Sequence, residues 1–320
     1  MGKKVIIQRA QESCKPMPWT LTKATTAGDT VRLMTAPGLL QSPCTRKINQ
    51  DLFVDLRTGE AREYNHISNR SESPESIRQS MEQLRDLINC NVTAETVQNC
   101  LWVTLTYREN MTDTKRLYKD WTKFWQRFVR HLAKENLKKP EYITVIEPQA
   151  RGAWHIHGFF IFPETAPYIS NNEVFEPLWG QGFTKVKRLK NCDNVGAYFT
   201  AYLTDLPVED VSPGTAVDFD TVEKVVNSDG IPEKKKFVKG ARLKMYPPGC
   251  RLYRCSRGVK RPVIDYDDYQ KEKEKTGASG KTPVFSSDYL VLVCHDSDDA
   301  VADSDKRPQK IHREYYNLNR

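Results

Sequence analysis

Hydrophobic positions recur at helical spacing in two long stretches of the chain. In SPESIRQSMEQLRDLIN (73–89), Ile77, Met81, Leu84 and Ile88 share one face, and Ser73 or Pro74 starts the helix. In DTKRLYKDWTKFWQRFVRHLAKENL (113–137), Leu117, Trp121, Phe124, Trp125, Phe128 and Leu132 form a broad apolar stripe. Such a stripe reads as core packing rather than as a surface for stacking bases. Shorter apolar runs read as strands: CLWVTLTY (100–107), EYITVIE (141–147) and AWHIHGFFIF (153–162). The last two are joined by PQARG, a loop of hairpin length. A further helix is expected over 193–206, capped by Asp193 or Asn194 and stopped by Pro207.

Outside this stretch the pattern is weaker. Residues 1–70 carry short strand-like runs (KVIIQ, TVRLM, LFVDL). Residues 265–287, rich in Lys, Glu, Gly and Ser, read as a linker; DYLVLVC (288–294) reads as a strand, and a polar tail follows. The order strand–helix–strand–strand–helix predicts a compact α+β domain with an antiparallel sheet. The expected organisation is an N-terminal extension over 1–95, a central domain over 96–262, and a linker, strand and tail over 263–320.

Composition narrows the class. With 320 residues, 28% charged and 10% aromatic, the chain can bury a core and is not of disordered type. No apolar run approaches the 18 or so residues of a membrane helix, and the apolar run of MGKKVIIQRA is too short for a secretory signal, so a cytoplasmic location is expected. Eight cysteines are scattered without a C-x2-C pair, which argues against a zinc ribbon and for reduced thiols. The net charge of +8 is uneven. Residues 231–262 hold six Lys and five Arg against one Glu, a net +10, while 295–305 hold five Asp and no Lys or Arg. A basic block interleaved with Tyr and Phe suits a nucleic-acid backbone, and equally a solvated basic face.

RGAWHIHGFF (151–160) places two of the six histidines two residues apart. Side chains alternate along a strand, so His155 and His157 share a face. A hairpin of odd-to-odd register would set Glu147 beside His155 on that face. Two imidazoles and a carboxylate so gathered suit a divalent cation of intermediate hardness, Mn²⁺, Mg²⁺ or Zn²⁺, with room for a phosphate oxygen. A bare H-x-H pair seen alone is more often structural, and the flanking carboxylate and hydrophobic strand shift the balance toward a metal site. Tyr198 and Tyr202 lie one turn apart on the expected 193–206 helix, where Val195, Phe199, Tyr202 and Leu206 would also make a core stripe. A free tyrosine, pKa about 10, is a poor nucleophile. A neighbouring cation acting on a phosphodiester would make it an adequate one.

The succession WVTLTY, HIHGFF and a helix with YFTAY resembles the three-motif signature of the HUH endonucleases, and more narrowly the rolling-circle replication initiators of plasmids and phages. Histidines before tyrosine is the order of those initiators; relaxases carry the tyrosine near the N-terminus. The resemblance covers about 100–262 and includes KGARLKMYPPGCRLYRCSRGVKRP as its trailing segment. It implies an antiparallel sheet of about five strands related to the RNA-recognition fold, with flanking helices, so that 96–262 would be the nuclease domain. His155, His157 and Glu147 would bind Mn²⁺ or Mg²⁺, less so Zn²⁺. Tyr198 would attack single-stranded origin DNA, leaving a 5′-phosphotyrosine and a free 3′-OH, and Tyr202 would serve the second strand transfer that rejoins strands at termination. Relatives with paired tyrosines often carry Lys three residues after each one; here Ala201 and Asp205 stand there.

Lys185, Lys187 and Arg188 are the candidates to supply the missing charge. With Arg242, Lys244, Arg251, Arg254 and Arg257 they form the expected DNA-binding set. TGASGKT (276–282) evokes a P-loop, but Lys275 stands where that motif needs Gly, so no fused helicase is expected. Unwinding and synthesis would fall to a host helicase and DNA polymerase. Two alternatives remain open: a relaxase or tyrosine transposase with the same chemistry, or a non-catalytic DNA-binding regulator on this scaffold.

Overall fold

The structure, a computed structural model, describes residues 3–10, 15–36, 45–56, 58–64, 74–149, 151–189, 195–200, 203, 205–207, 221–228, 231–238, 242, 245–247, 250–295 and 309–320. The first strands are β1 (Lys3–Arg9), β2 (Leu21–Ala27), β3 (Thr30–Thr35), β4 (Thr45–Lys47), β5 (Leu52–Asp55) and β6 (Ala61–Glu63). Next come α1 (Pro74–Asn91), β7 (Cys100–Thr106), α2 (Thr114–Lys134), β8 (Glu141–Pro148), β9 (Trp154–Ile161), α3 (Glu176–Trp179) and β10 (Thr184–Arg188). These are followed by α4 (Val195–Thr200), β11 (Leu206–Pro207), β12 (Thr221–Ser228), β13 (Ile231–Val238) and β14 (Tyr253–Cys255). The last elements are β15 (Val263–Asp268), α5 (Tyr269–Lys275), β16 (Phe285–His295) and β17 (Gln309–Asn317).

The chain divides into residues 67–260 and a second unit made of 1–66 with 261–320. This differs from the expected division at 95/96 and 262/263. The apolar stripe of α1 (Ile77, Met81, Leu84 and Ile88) is buried in the same core as β7–β9 and α2, so the helix belongs with the central unit.

The central unit is built on a five-stranded sheet, ordered β10-β7-β9-β8-β14 and antiparallel throughout, as the α+β expectation required. β9 lies in the middle and its alternation defines two faces. On one, Phe160 packs among Trp121, Phe124, Trp125 and Phe128 of α2. α2 begins where the Asp113 carboxylate accepts from Lys115 N at 2.8 Å, a side-chain cap for an otherwise unpaired donor. On the other face, Tyr253, in register with Val145, donates to Gln83 Oε1 of α1 at 3.2 Å. α4 packs on α1 through Gly196, whose N–H donates to Asn89 Oδ1 at 3.1 Å. A Cβ at Gly196 would lie 2.6 Å from Asn89 Oδ1 and 2.7 Å from the Arg85 carbonyl, so glycine permits the close approach.

Of the helix expected over 193–206, Val195–Thr200 is helical, residues 201, 202 and 204 lie outside the described residues, and Leu206 and Pro207 pair instead with Val238 and Phe237 of β13. β11, β13 and β12 make a small sheet of their own.

The second unit is a six-stranded antiparallel sheet, ordered β1-β16-β17-β3-β2-β15, with β4-β5-β6 as a separate ribbon. Two expectations are corrected here. The linker over 265–287 contains most of β15, all of α5 and the start of β16: its Lys and Glu are good helix formers, and its acids pair with Lys275. The polar tail contains β17, whose buried side carries His312, Glu314 and Tyr316, so an apolar–polar alternation never shows. In the P-loop look-alike, Gly277 (φ +74) closes α5 in the left-handed conformation.

Candidate metal and phosphodiester site

Sheet pairing gathers the sequence-predicted residues row by row on the face opposite α2. One row reads Val145, His157, Thr104 and Lys185 from β8 to β10; the next pairs Glu147, His155 and Thr106. His155 and His157 therefore share the face, with ring centroids 6.2 Å apart, and Glu147 sits opposite His155 as the odd register requires. Its hydrogen bond goes elsewhere: Glu147 Oε2 and His157 Nε2 are 2.6 Å apart.

Burial first, and for His155 also the charges of His157 and Arg151, pushes both imidazoles down to a pKa of about 4. Both are neutral at pH 7, the form that donates a lone pair to a metal. His157 Nδ1 lies 3.2 Å from Thr104 Oγ1, which accepts from Trp102 Nε1 at 3.2 Å. With the indole hydrogen pointing at its oxygen, the Thr104 hydroxyl turns its own hydrogen to Nδ1. The Glu147 carboxylate only accepts, so Nε2 carries the hydrogen and donates to it, which leaves Nδ1 to accept from Thr104. His155 Nε2 is buried with no hydrogen-bond partner, a costly condition for a polar atom.

Arg242, expected on DNA, ion-pairs with the second carboxylate oxygen of Glu147; the two side chains are 11% and 16% exposed. It comes from the same segment as Tyr246, whose buried hydroxyl donates to the Ile146 carbonyl at 3.0 Å and lies 3.5 Å from that of Leu203. Tyr246 thus ties the chain just beyond α4 to the strand that carries Glu147. α4 itself, packed on α1, lies on the histidine side of the sheet and brings the Tyr198 backbone there. Tyr202 and Lys244 lie outside the described residues.

Two imidazole nitrogens and a carboxylate make a donor set that fits a divalent ion, and the partnerless His155 nitrogen favours that fit. Among the described residues, however, no three His, Cys, Asp or Glu groups stand ready to close on an ion: Glu147 is held by His157 and Arg242.

Residues 100–206 match the model of a family described as replication-associated protein ORF2/G2P. No curated protein and no solved structure matches the chain. The matched third of the chain is thus similar to that replication-associated family. It runs from β7 to β11 and includes Glu147, both histidines and Tyr198, while Arg242 and Tyr246 fall outside it.

The remaining basic candidates separate by face. Lys185 and Lys187 are exposed and, opposite Thr104 and Trp102, lie on the histidine side. Arg188 faces the other way and donates to the Ala166 carbonyl. Arg254 also lies on the α2 side, its guanidinium 3.4 Å over the Tyr118 ring, and Arg251 and Arg257 are exposed. Sequence reasoning missed Thr104, Trp102 and Tyr246. The alternation of WVTLT places Trp102 and Thr104 on one face, but only the β7–β9 register reveals that it is the histidine face. Among the described residues no helix is long and apolar enough to cross a membrane.

Proposed function

We propose that this chain is a metal-assisted DNA nickase and strand transferase that starts rolling-circle replication. The observation that carries the reading is a neutral imidazole pair beside Glu147, with one buried partnerless nitrogen, on the side of the sheet where α4 lies. The similarity of residues 100–206 to a replication-associated family supports it.

His155, His157 and Glu147 would hold a divalent ion, Mn²⁺ or Mg²⁺ before Zn²⁺. Such an ion, when bound, draws charge from a phosphodiester oxygen. Burial keeps both imidazoles unprotonated, and Thr104 orients His157. The Tyr198 phenol oxygen attacks the phosphorus of single-stranded origin DNA. The phenol gives up its proton, the bond to the 3′ oxygen breaks, and that oxygen takes up a proton. The 5′-phosphate stays on Tyr198, and a host polymerase extends the free 3′-OH behind a host helicase. Tyr202 is the second nucleophile, for rejoining. Lys185 and Lys187 hold the strand's phosphates on the site face.

The test is incubation with a pool of single-stranded oligonucleotides and Mn²⁺. A covalent protein–DNA adduct on a denaturing gel, abolished by chelation and reduced by Tyr198→Phe or Tyr202→Phe, is the expected result. Absence of any adduct sinks the proposal. The pairing of Arg242 with Glu147 favours a second reading, a DNA-binding regulator without cleavage, which predicts salt-sensitive binding and no adduct with any divalent metal.

A further inference from the structure

α2 carries a charge pattern that the site does not use. Lys115, Lys119, Lys123, Arg127, Arg130 and Lys134 are all exposed, and at 100° per residue they fall within an arc of about 120°. The buried residues Leu117, Trp121, Phe124, Phe128 and Leu132 occupy the opposite side of the helix. Amphipathic surface helices ordinarily mix the two signs and gain from i,i+4 pairs. Here the one acid in the helix, Asp120, is taken by Arg116, which also binds Glu109 at 2.6 Å. Among the described residues no carboxylate pairs with Lys115, Lys119, Lys123, Arg130 or Lys134. Arg254, stacked on Tyr118 of the same helix, adds a further cation beside the stripe.

We infer that the outer face of α2 is a second nucleic-acid surface, which takes the phosphate backbone of duplex DNA. The stripe from Lys115 to Lys134 is about 28 Å long, the length over which one strand of B-DNA presents about eight phosphates. It offers no exposed aromatic ring: the exposed residues of α2 are Lys, Arg, Thr122, Gln126 and Ala133, and its aromatic rings turn to the core or its flank. Single-strand binding relies on such rings as stacking platforms, so their absence from this face selects the duplex. The face also lies on the far side of the sheet from His155 and His157, so the DNA held there is not the strand that reacts. It is the double-stranded region flanking that strand. The choice of DNA over another polyanion rests on the replication reading above.

The test compares wild type with Lys115→Gln/Lys119→Gln/Lys123→Gln/Arg130→Gln. Arg127 is spared because it donates to the Leu178 carbonyl. Fluorescence anisotropy over a KCl series, on a duplex and on the single strand of the same sequence, gives affinity and salt slope. The variant should lose at least about 30-fold in duplex affinity at 0.15 M salt, with its log–log slope shallower by about three to four. Binding to the single strand, and any adduct formed with it, should be unchanged. Replacing the three lysines with Arg should keep the wild-type slope, which separates charge from any effect on folding. An unchanged duplex slope in the Gln variant overturns the inference, as does an equal loss on the single strand. If neither protein forms an adduct while the duplex slope still falls, the nicking reading fails and the surface stands.

Discussion

Glu147 stands opposite His155 across β8 and β9, yet its Oε2 lies 2.6 Å from Nε2 of His157, the diagonal neighbour. The long carboxylate spans that diagonal readily, and its other oxygen meets the Arg242 guanidinium. A cation of the chain itself thus sits where an incoming ion would compete for Glu147. Arg242→Gln should therefore raise Mn²⁺ affinity on the order of tenfold, about 1.4 kcal/mol of relieved competition. It should also cost about 3 kcal/mol of stability, because a largely buried carboxylate loses its partner. Calorimetric titration with Mn²⁺ and denaturant melts measure the two effects separately.

Thr104 holds Nδ1 of His157 in either tautomer. It can donate to Nδ1 in the arrangement described, and accept from Nδ1–H once Nε2 is needed as a ligand. Thr104→Val removes both options and leaves the Trp102 indole without this acceptor. Metal affinity should fall 10- to 100-fold, and Thr104→Ser should restore it. Nitrogen-15 shifts of the His157 ring check the tautomer without reference to activity.

Gly196 sets how closely α4 approaches α1. Gly196→Ala places a methyl within 2.7 Å of the Arg85 carbonyl, which is backbone and cannot turn aside. Overpacking of this kind costs about 1–3 kcal/mol. Because α4 carries Tyr198, adduct formation should fall in the same variant while Mn²⁺ affinity holds, as seen by running the gel and the titration side by side.

A buried polar cluster gives the second unit its own pH dependence. His312 Nδ1 lies 2.7 Å from Asp288, and Glu314 accepts from Tyr269 and Tyr316 at 2.8 Å each. Burial would push Glu314 up, but hydrogen bonds from His312, Tyr316 and Tyr269 prevail and hold it at about 2. Burial likewise opposes charge on His312, and the Glu314 and Asp288 carboxylates prevail, raising its pKa above 6.5. The raised histidine contributes fully below 6.5 and loses its contribution as pH climbs through its folded value. The depressed carboxylate contributes fully above 4.5 and loses its contribution as pH falls toward 2. The stability difference between wild type and His312→Gln should therefore peak between about pH 4.5 and 6.5 and shrink on either side; a flat difference in denaturant melts would refute the coupling.

Much of the central unit was legible because period and burial agree there. α2 and the β8–β9 hairpin follow their patterns within a few residues, and the shared face of His155 and His157 follows from alternation alone. What stayed hidden depends on partners distant in sequence. Tyr246 and Arg242 reach β8 from about a hundred residues downstream, and no local spacing encodes that return. β17 escaped for a different reason: its buried side is His312, Glu314 and Tyr316, paired with each other and with Asp288 and Tyr269, so hydropathy reads it as tail. The basic face of α2 is written in the sequence as Lys and Arg at helical spacing, but only the burial of the opposite stripe and the lack of facing carboxylates set it apart.

The sheet order β1-β16-β17-β3 makes partners of strands far apart in sequence. On a ribosome, β1 must wait for β16, which is made long after it. At about 5–20 residues per second, β1 and β3 emerge roughly 15–60 s before β16 and β17 exist to pair with them. The five-stranded sheet of the central unit, with α1 and α2, is made entirely from residues 74–255, so its strands can pair within that delay. During synthesis, then, the early strands carry open edges that invite other chains, and the arrival of β16 and β17 is the event that removes the hazard.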